Sequence, residues 1–195
     1  MMRRLAGRCT ASMIVAAALA TGAATAQAGE IADKAALAER LVERGYSEAA
    51  LAALDKAVAA FWEESPLQLR TIGFVDSVSG YGNYTPRDGT VFRNGDTLRL
   101  YFEPVGYGFA PAGDGVGAAI AIDVQIRTPG GLILATAENF ATLAWRGRTP
   151  MREVQGTIET KMPFLKPGEY LLLLTLRDAN SDKAKDVTLP FSVAD

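Results

Sequence analysis

The chain has 195 residues, with 20 basic and 22 acidic side chains, no histidine and one cysteine. These counts exclude the Ser-His and Cys-His nucleophilic systems and the common cysteine- and histidine-based zinc sites. The formal net charge is −2, and the basic residues form no cluster outside the first few positions. This distribution argues against nucleic acid as a partner.

The first 28 residues have the three parts of a secretory signal peptide. Residues 1–8 include three arginines, residues 11–20 form a short apolar run, and Ala26-Gln27-Ala28 resembles a cleavage site. The apolar run is shorter than the roughly 20 residues of a transmembrane helix, although an uncleaved anchor is the alternative. We therefore expect cleavage after Ala28 and a periplasmic or secreted protein without a membrane span.

The only cysteine, Cys9, lies within the predicted signal peptide. It precedes the apolar run, whereas the lipid-bearing cysteine of a lipoprotein signal would follow it. Cleavage removes this thiol and three arginines, which leaves 17 basic and 22 acidic residues and a formal charge of −5. The remaining chain, of about 165 residues, is long enough to be stabilised by its core without disulfides.

Residues 29–66 favour a hairpin of two helices. Gly45 is a natural helix stop, Ser47 can cap a second helix, and Pro66 ends it. Apolar residues at helical spacing form one stripe on each helix: Ala35, Leu37, Ala38, Leu41 and Val42, then Ala50, Leu51, Leu54, Ala57, Val58 and Phe61.

Gly45, Tyr46, Ala50 and Ala57 make this hairpin resemble a single tetratricopeptide-type unit. No second copy follows, and one such unit cannot bury its apolar face alone. We expect the hairpin to pack on the following domain or on a partner.

Residues 67–195 read as a series of short strands separated by turns. Predicted strands cover residues 69–78, 90–92, 96–103, 118–127, 132–137, 153–162, 171–176 and 186–193. Asn94-Gly95 predicts a hairpin between the second and third of these strands. Residues 80–86 and 104–117 are predicted loops, and 139–150 are predicted to be irregular or one helical turn.

Alternation of apolar and polar residues assigns faces to several strands. Leu98, Leu100 and Phe102 are predicted to face inward, with Arg99, Tyr101 and Glu103 facing solvent. The same pattern predicts two further inward-facing sets: Ile120, Ile122, Val124 and Ile126, then Val187, Leu189, Phe191 and Val193.

The segment 171–176 is apolar on both faces and is predicted to lie in the middle of a sheet. No helices separate the predicted strands. The chain is therefore predicted to be mainly β, with an N-terminal helical hairpin and an antiparallel two-sheet sandwich; a closed barrel is the alternative.

The C-terminal residues resemble the last hairpin of bacterial immunoglobulin-like domains. The features are Pro167-Gly168-Glu169-Tyr170 before an apolar strand, then Leu189-Pro190-Phe191-Ser192-Val193 after a polar turn. Residues 70–195 are similar in layout to secreted bacterial proteins of unknown function that end in such a domain. The cysteine and tryptophan marks of true immunoglobulins are absent, so the resemblance implies an immunoglobulin-like sandwich and no activity.

Two patterns of polar residues are candidate sites of chemistry. Glu103 and Asp123 would need a separation of about 5–9.5 Å to act as a glycosidase pair, and sequence does not give that distance. Asp178, Asn180 and Asp182 match the first ligands of a calcium loop, but the required glycine and glutamate are replaced by Lys183 and Leu189. We therefore expect no cofactor or metal and no enzyme activity, with a carboxylate-based hydrolase as the remaining alternative.

Aromatic residues are concentrated in the predicted glycine-rich loops and are candidates for contact with a partner. The candidates are Tyr81, Tyr84, Tyr107 and Phe109 in loops, Tyr101 on the predicted wet strand face, and Trp145 in the irregular segment. The alternative is that these side chains fold under their own loops and extend the core.

The sequence thus favours an exported, non-enzymatic module that binds another periplasmic or envelope protein. The predicted binding surfaces are the aromatic loops, the wet strand face, or a free edge strand that accepts a partner strand. The alternative function is glycan binding, in which exposed tyrosines and Trp145 stack on sugar rings.

Overall fold

The computed structural model describes residues 22–195, with side chains from Gly29 onward. The predicted signal peptide lies outside the described residues, except for the backbone of residues 22–28. The chain divides into two compact units, Met1–Ala57 and Val58–Asp195, and the predicted boundaries after residues 28 and 66 remain predictions. None of the helices in residues 22–195 combines the length and apolar character needed to cross a membrane.

Two helices open the described chain: α1, Gly22–Glu43, and α2, Ser47–Glu64. Gly45 separates them with a φ of 81°, a left-handed conformation that glycine adopts without steric cost. Its N–H donates a hydrogen bond of 2.9 Å to the Val42 carbonyl. The predicted end of the first helix and start of the second are therefore confirmed.

Ten strands follow the helices. Their bounds are β1 Gln68–Gly80, β2 Asn83–Pro86, β3 Val91–Arg93, β4 Thr97–Val105, β5 Ala110–Ala112, β6 Gly115–Arg127, β7 Ile133–Gly147, β8 Gly156–Lys161, β9 Gly168–Asp178 and β10 Ala184–Ala194.

The strands form two sheets, which confirms the predicted sandwich. The first sheet has the order β2-β1-β4-β8 and the second has the order β3-β10-β9-β6-β5, with β7 also paired to β6. Neighbouring strands are antiparallel except for β3, which runs parallel to β10. β1, β4 and β8 thus lie in one sheet and β10, β9, β6 and β7 in the other, as in an immunoglobulin-like two-sheet sandwich.

The core lies between the two sheets, and β9 is central in the second one. This strand pairs with β10 on one side and β6 on the other. Leu172, Leu174 and Leu176 are buried against residues of the first sheet such as Leu100 and Phe102. The predicted interior position of segment 171–176 is confirmed, and so are the inward faces predicted for β6 and β10.

The predicted hairpin at Asn94-Gly95 is wrong, because β3 and β4 belong to different sheets. β3 pairs with β10, whereas β4 pairs with β1 and β8. Phe92 is buried in β3, where it packs edge-on against Phe191 at a centroid distance of 6.2 Å. The turn therefore carries the chain from one sheet to the other.

Three segments that were predicted to be irregular contain strands: β2 lies within 80–86, β5 within 104–117, and β7 continues to Gly147. In β7 the alternation is interrupted, since the register moves from Ala137 opposite Val124 to Ala141 opposite Ile122. Four residues of β7 span the same step as two residues of β6, so the bulge adds two residues and the odd-numbered side chains keep the same face on either side of it. Only residues 138–140 break the period-two pattern.

Candidate functional site

The predicted wet face of β4 is wrong for Tyr101 and Glu103, which are both buried. The Tyr101 hydroxyl donates to Glu103 Oε1 at 2.6 Å and accepts from the Gly82 N–H at 2.7 Å. Tyr84 stacks on the Tyr101 ring with a centroid distance of 4.2 Å. The β1–β2 hairpin therefore covers this part of β4, a tertiary contact that alternation along β4 does not reveal.

Burial raises the pKa of Tyr101 to about 12, and the adjacent Glu103 carboxylate acts in the same direction. The phenol thus remains a proton donor to Glu103 over the neutral pH range. This pair satisfies two polar groups in an otherwise apolar setting.

Three of the candidate carboxylates, Glu103, Asp123 and Asp178, accept hydrogen bonds within the described residues. Glu103 is bound to Tyr101 in the first sheet, whereas Asp123 lies in the second sheet beside Arg177 and Asn139. Asp178 accepts from the N–H groups of Gly108 at 2.6 Å and Asn180 at 3.0 Å, and from the Ser181 hydroxyl. Asp178 therefore organises the β9–β10 turn, and its oxygens are occupied in doing so.

Three of the six candidate aromatics meet in one cluster. Tyr107 is buried, stacks on Trp145 at 5.7 Å, and packs edge-on against Phe109 at 5.3 Å between ring centroids. Burial raises the pKa of the Tyr107 phenol, whose hydroxyl donates to the Met151 carbonyl. These residues follow the alternative expected for them, an extension of the core.

Trp62 of α2 completes this aromatic cluster and was missed by sequence reasoning. Its Nε1 donates to the Tyr107 carbonyl at 2.7 Å, and its ring packs edge-on against Tyr107 at 5.2 Å. The predicted stripe on α2 used Phe61, which is exposed. The sequence feature that could have indicated a packing role for Trp62 is its large aromatic side chain in a helix that is otherwise rich in alanine.

The other candidate aromatics lie on the β1–β2 hairpin or beneath it. The Tyr81 hydroxyl accepts a hydrogen bond from Arg70, and Tyr84 covers Tyr101. The six residues thus form two groups, with Tyr81, Tyr84 and Tyr101 in one and Tyr107, Phe109 and Trp145 in the other. Tyr101 and Tyr107 have no exposed surface in this conformation.

A different surface emerges at β7, the edge strand of the second sheet. β7 pairs with β6 at eleven register positions and has no strand on its other side within residues 22–195. Ile133, Leu134 and Phe140 are exposed along it, and Leu132 is exposed just before it. Such an edge presents unpaired backbone donors and acceptors to any extended chain that approaches.

The bulge in β7 is held by a polar clamp. Asn139 adopts a φ of 48°, and its N–H donates to Asp123 Oδ1 at 2.7 Å. Arg177 forms an ion pair with Asp123 and donates to Asn139 Oδ1 at 3.0 Å. The clamp gives the bulge a defined geometry and separates β7 into segments 133–137 and 141–147.

A largely apolar cavity of about 190 Å³ lies beside β7, between the two sheets. Leu100 and Ile158 line it from the first sheet, Ile126 and Leu172 line it from the second, and Ala137 and Phe140 of β7 contribute the edge. We call this space the lateral cavity. The residues between β7 and β8 form no strand that would extend the first sheet beside this cavity. The β7 side chains that line it include the small residues Ala135, Thr136 and Ala137, which do not fill it.

Comparisons with known proteins give no family assignment. No family model matches the chain, and no curated protein matches it. Among solved structures, the alkylpurine DNA glycosylase AlkC from Pseudomonas fluorescens is similar over 79% of this chain and 40% of its own, with 9% identity and a TM-score of 0.38. A chitin binding domain from Burkholderia pseudomallei is similar over 55% of this chain and 57% of its own, with 12% identity and a TM-score of 0.31.

The soluble domain of PmoD from Methylocystis sp. is similar over 67% of this chain and 98% of its own, with 17% identity and a TM-score of 0.30. The chain spans less than half of the AlkC chain that it matches. Identities and TM-scores at this level assign neither a family nor an activity.

Proposed function

We propose that this protein is an exported, non-enzymatic module that binds an extended segment of another envelope protein along the free edge of β7. The observation that carries the proposal is the unpaired side of this 15-residue strand with its exposed apolar residues. Addition of a partner strand would satisfy the free backbone groups of β7 and cover those side chains.

The composition of β7 supports this role. Edge strands are commonly protected from pairing by lysine, proline or a short length. β7 contains neither lysine nor proline, and Glu138 and Arg146 are its only charged residues. Its pairing with β6 is interrupted at two places, the bulge around Asn139 and a register shift between Ile133 and Ala135, whereas residues 141–147 pair without interruption.

The lateral cavity supplies a source of specificity. In strand addition, main-chain hydrogen bonds give affinity, and pockets for alternate side chains select the sequence. The cavity of about 190 Å³ is larger than an engineered apolar cavity of about 150 Å³ that binds benzene. It therefore has room for one large apolar side chain from the bound strand.

Site-specific photocrosslinking tests the proposal. A photoreactive residue at Thr136 in β7 should capture an envelope protein, whereas one at Val91 in β3, the opposite edge of the sheet, should not. With the captured protein purified, Leu134→Lys should weaken binding at least tenfold, because it places a charge against the added strand. Ala137→Phe should weaken binding by filling the cavity.

Val91→Lys is the matched control, since Val91 is an exposed apolar residue on the other edge strand and the charge change is the same. It should change the Kd less than twofold. Equal effects of Leu134→Lys and Val91→Lys would contradict the assignment of the binding edge to β7.

The glycan-binding alternative has less support from the geometry. Tyr101 and Tyr107 are buried, and Trp145 packs one face of its ring on Tyr107. A hydrolase based on Glu103 and Asp123 is likewise less supported, because both carboxylates accept hydrogen bonds from neighbouring side chains or backbone.

A further inference from the structure

The helical hairpin carries a second surface that the proposed function does not use. From Gly29 onward, the buried residues of the two helices are all alanines: Ala38, Ala50, Ala53 and Ala57. Larger apolar side chains on the same helices point outward: Val42 is 60% exposed, Leu51 is 61% exposed and Leu54 is 47% exposed. Clustered apolar residues of this kind mark an interaction surface.

Val42, Leu51 and Leu54 border a groove of about 630 Å³ between α1 and α2. Its lining on α1 runs from Ala35 to Glu43, which corresponds to about 12 Å of helix. The groove is therefore long enough to hold about two turns of an added helix.

The charges that line the groove are all negative. Glu39 and Glu43 line it, and no basic side chain does. Within residues 29–57 the salt bridge is Lys34 to Glu30, so neither glutamate has an ion-pair partner there. Two carboxylates four residues apart on a helix repel one another, and Glu43 also lies at the negative end of the α1 dipole.

We infer that this groove binds a basic amphipathic helix of a partner protein. The apolar face of that helix packs on Val42, Leu51 and Leu54, and its lysine or arginine side chains pair with Glu39 and Glu43. Helix-in-groove recognition of this type uses apolar anchors spaced along one helix face. The inference is independent of strand addition at β7, because it involves different residues of the chain.

Two synthetic helical peptides with the same leucine face test the inference, one with lysines and one with glutamates on the polar face. Binding to the purified protein is measured by fluorescence anisotropy at two salt concentrations. The basic peptide should bind at least tenfold more tightly than the acidic one, and its affinity should fall as salt rises.

Matched variants assign the site. The double variant Glu39→Gln/Glu43→Gln should bind the basic peptide at least fivefold more weakly. Asp33→Asn/Asp55→Asn makes the same charge change outside the groove and should reduce the affinity less than twofold. Leu51→Gln should weaken it about tenfold, and Leu37→Gln, an exposed leucine outside the groove, should have little effect. Circular dichroism confirms that each variant retains its helices.

Any of three results would overturn the inference. These are equal binding of the two peptides, no binding of the basic peptide at 1 mM, and the same loss of affinity for the basic peptide in the groove variants and their controls. Sedimentation of the protein alone provides one more outcome. A dimer that Leu51→Gln dissociates would identify a second copy of this chain as the occupant, and the inference would be wrong.

Discussion

Tyr101 and Glu103 show how one residue pair departs from a strand pattern. Alternation places both on the polar side of β4, yet they are buried under Tyr84 and bonded to each other. A buried carboxylate is tolerated here because it accepts a hydrogen bond from a phenol that stays protonated. The pair thus contributes to stability and does not present a contact surface.

The Tyr101 pKa gives a prediction on alkaline stability. The pKa of the Tyr101 phenol is about 10 in the unfolded chain and is raised to about 12 in the folded protein. The contribution of Tyr101 to the free energy of unfolding is therefore fully present below pH 10 and is lost as pH rises toward 12. The free energy of unfolding should fall with pH in this window by up to about 1.4 kcal/mol per pH unit for this residue. Urea unfolding at pH 9 to 11 measures the slope.

Tyr101→Phe should reduce that slope and, at pH 7, should lower the free energy of unfolding by about 1–3 kcal/mol, because Glu103 loses its buried donor. Tyr46→Phe is the control, since Tyr46 is exposed on the helical hairpin. If both variants unfold at the same urea concentration as the unsubstituted protein, the Tyr101–Glu103 bond is not stabilising.

At the scale of elements, β7 is the strand that sequence patterning describes least well. The sequence pattern predicts a strand over residues 132–137 but not its continuation to Gly147, because residues 138–140 interrupt the pairing with β6 and break the run of alternating side chains. The same bulge brings Phe140 to the lateral cavity. The irregularity that hides the strand thus also helps to form the candidate site.

The backbone at Asn139 gives a prediction for this element. Asn139→Val should lower the free energy of unfolding by about 1–3 kcal/mol relative to Asn139→Gly, because a β-branched residue is strained at a φ of 48° and glycine is not. Both variants lose the Oδ1 acceptor for Arg177, so their difference isolates the backbone term. Urea unfolding measures it, and hydrogen exchange of residues 133–137 reports whether the strand frays.

The helices illustrate a similar limit. The stop at Gly45 and the start at Ser47 agree with the structure, whereas the apolar stripe predicted on each helix is only partly buried. Spacing does not tell which members of a wide stripe are covered. In the structure alanines are buried and most of the larger side chains are exposed, a distribution that leaves a groove open to a partner.

At the scale of the whole molecule, the expected location follows from the first 28 residues. The exported protein should begin at Gly29, because cleavage is predicted after Ala28. Intact mass spectrometry of the protein recovered from the periplasm or medium measures this end. Recovery of a membrane-bound chain that retains residues 1–28 would favour an uncleaved anchor instead.

The sequence by itself determined the helix ends, the two-sheet architecture, the central position of 171–176, and the absence of any thiol after Cys9. These properties depend on residue type and on patterns within about ten residues of one another. Only the tertiary structure decided that Val91 pairs with Ser192, that Trp62 packs on Tyr107, and that a cavity opens beside β7. Those contacts join residues far apart in the chain, and the surface that each strand or helix covers depends on its neighbours rather than on its own pattern.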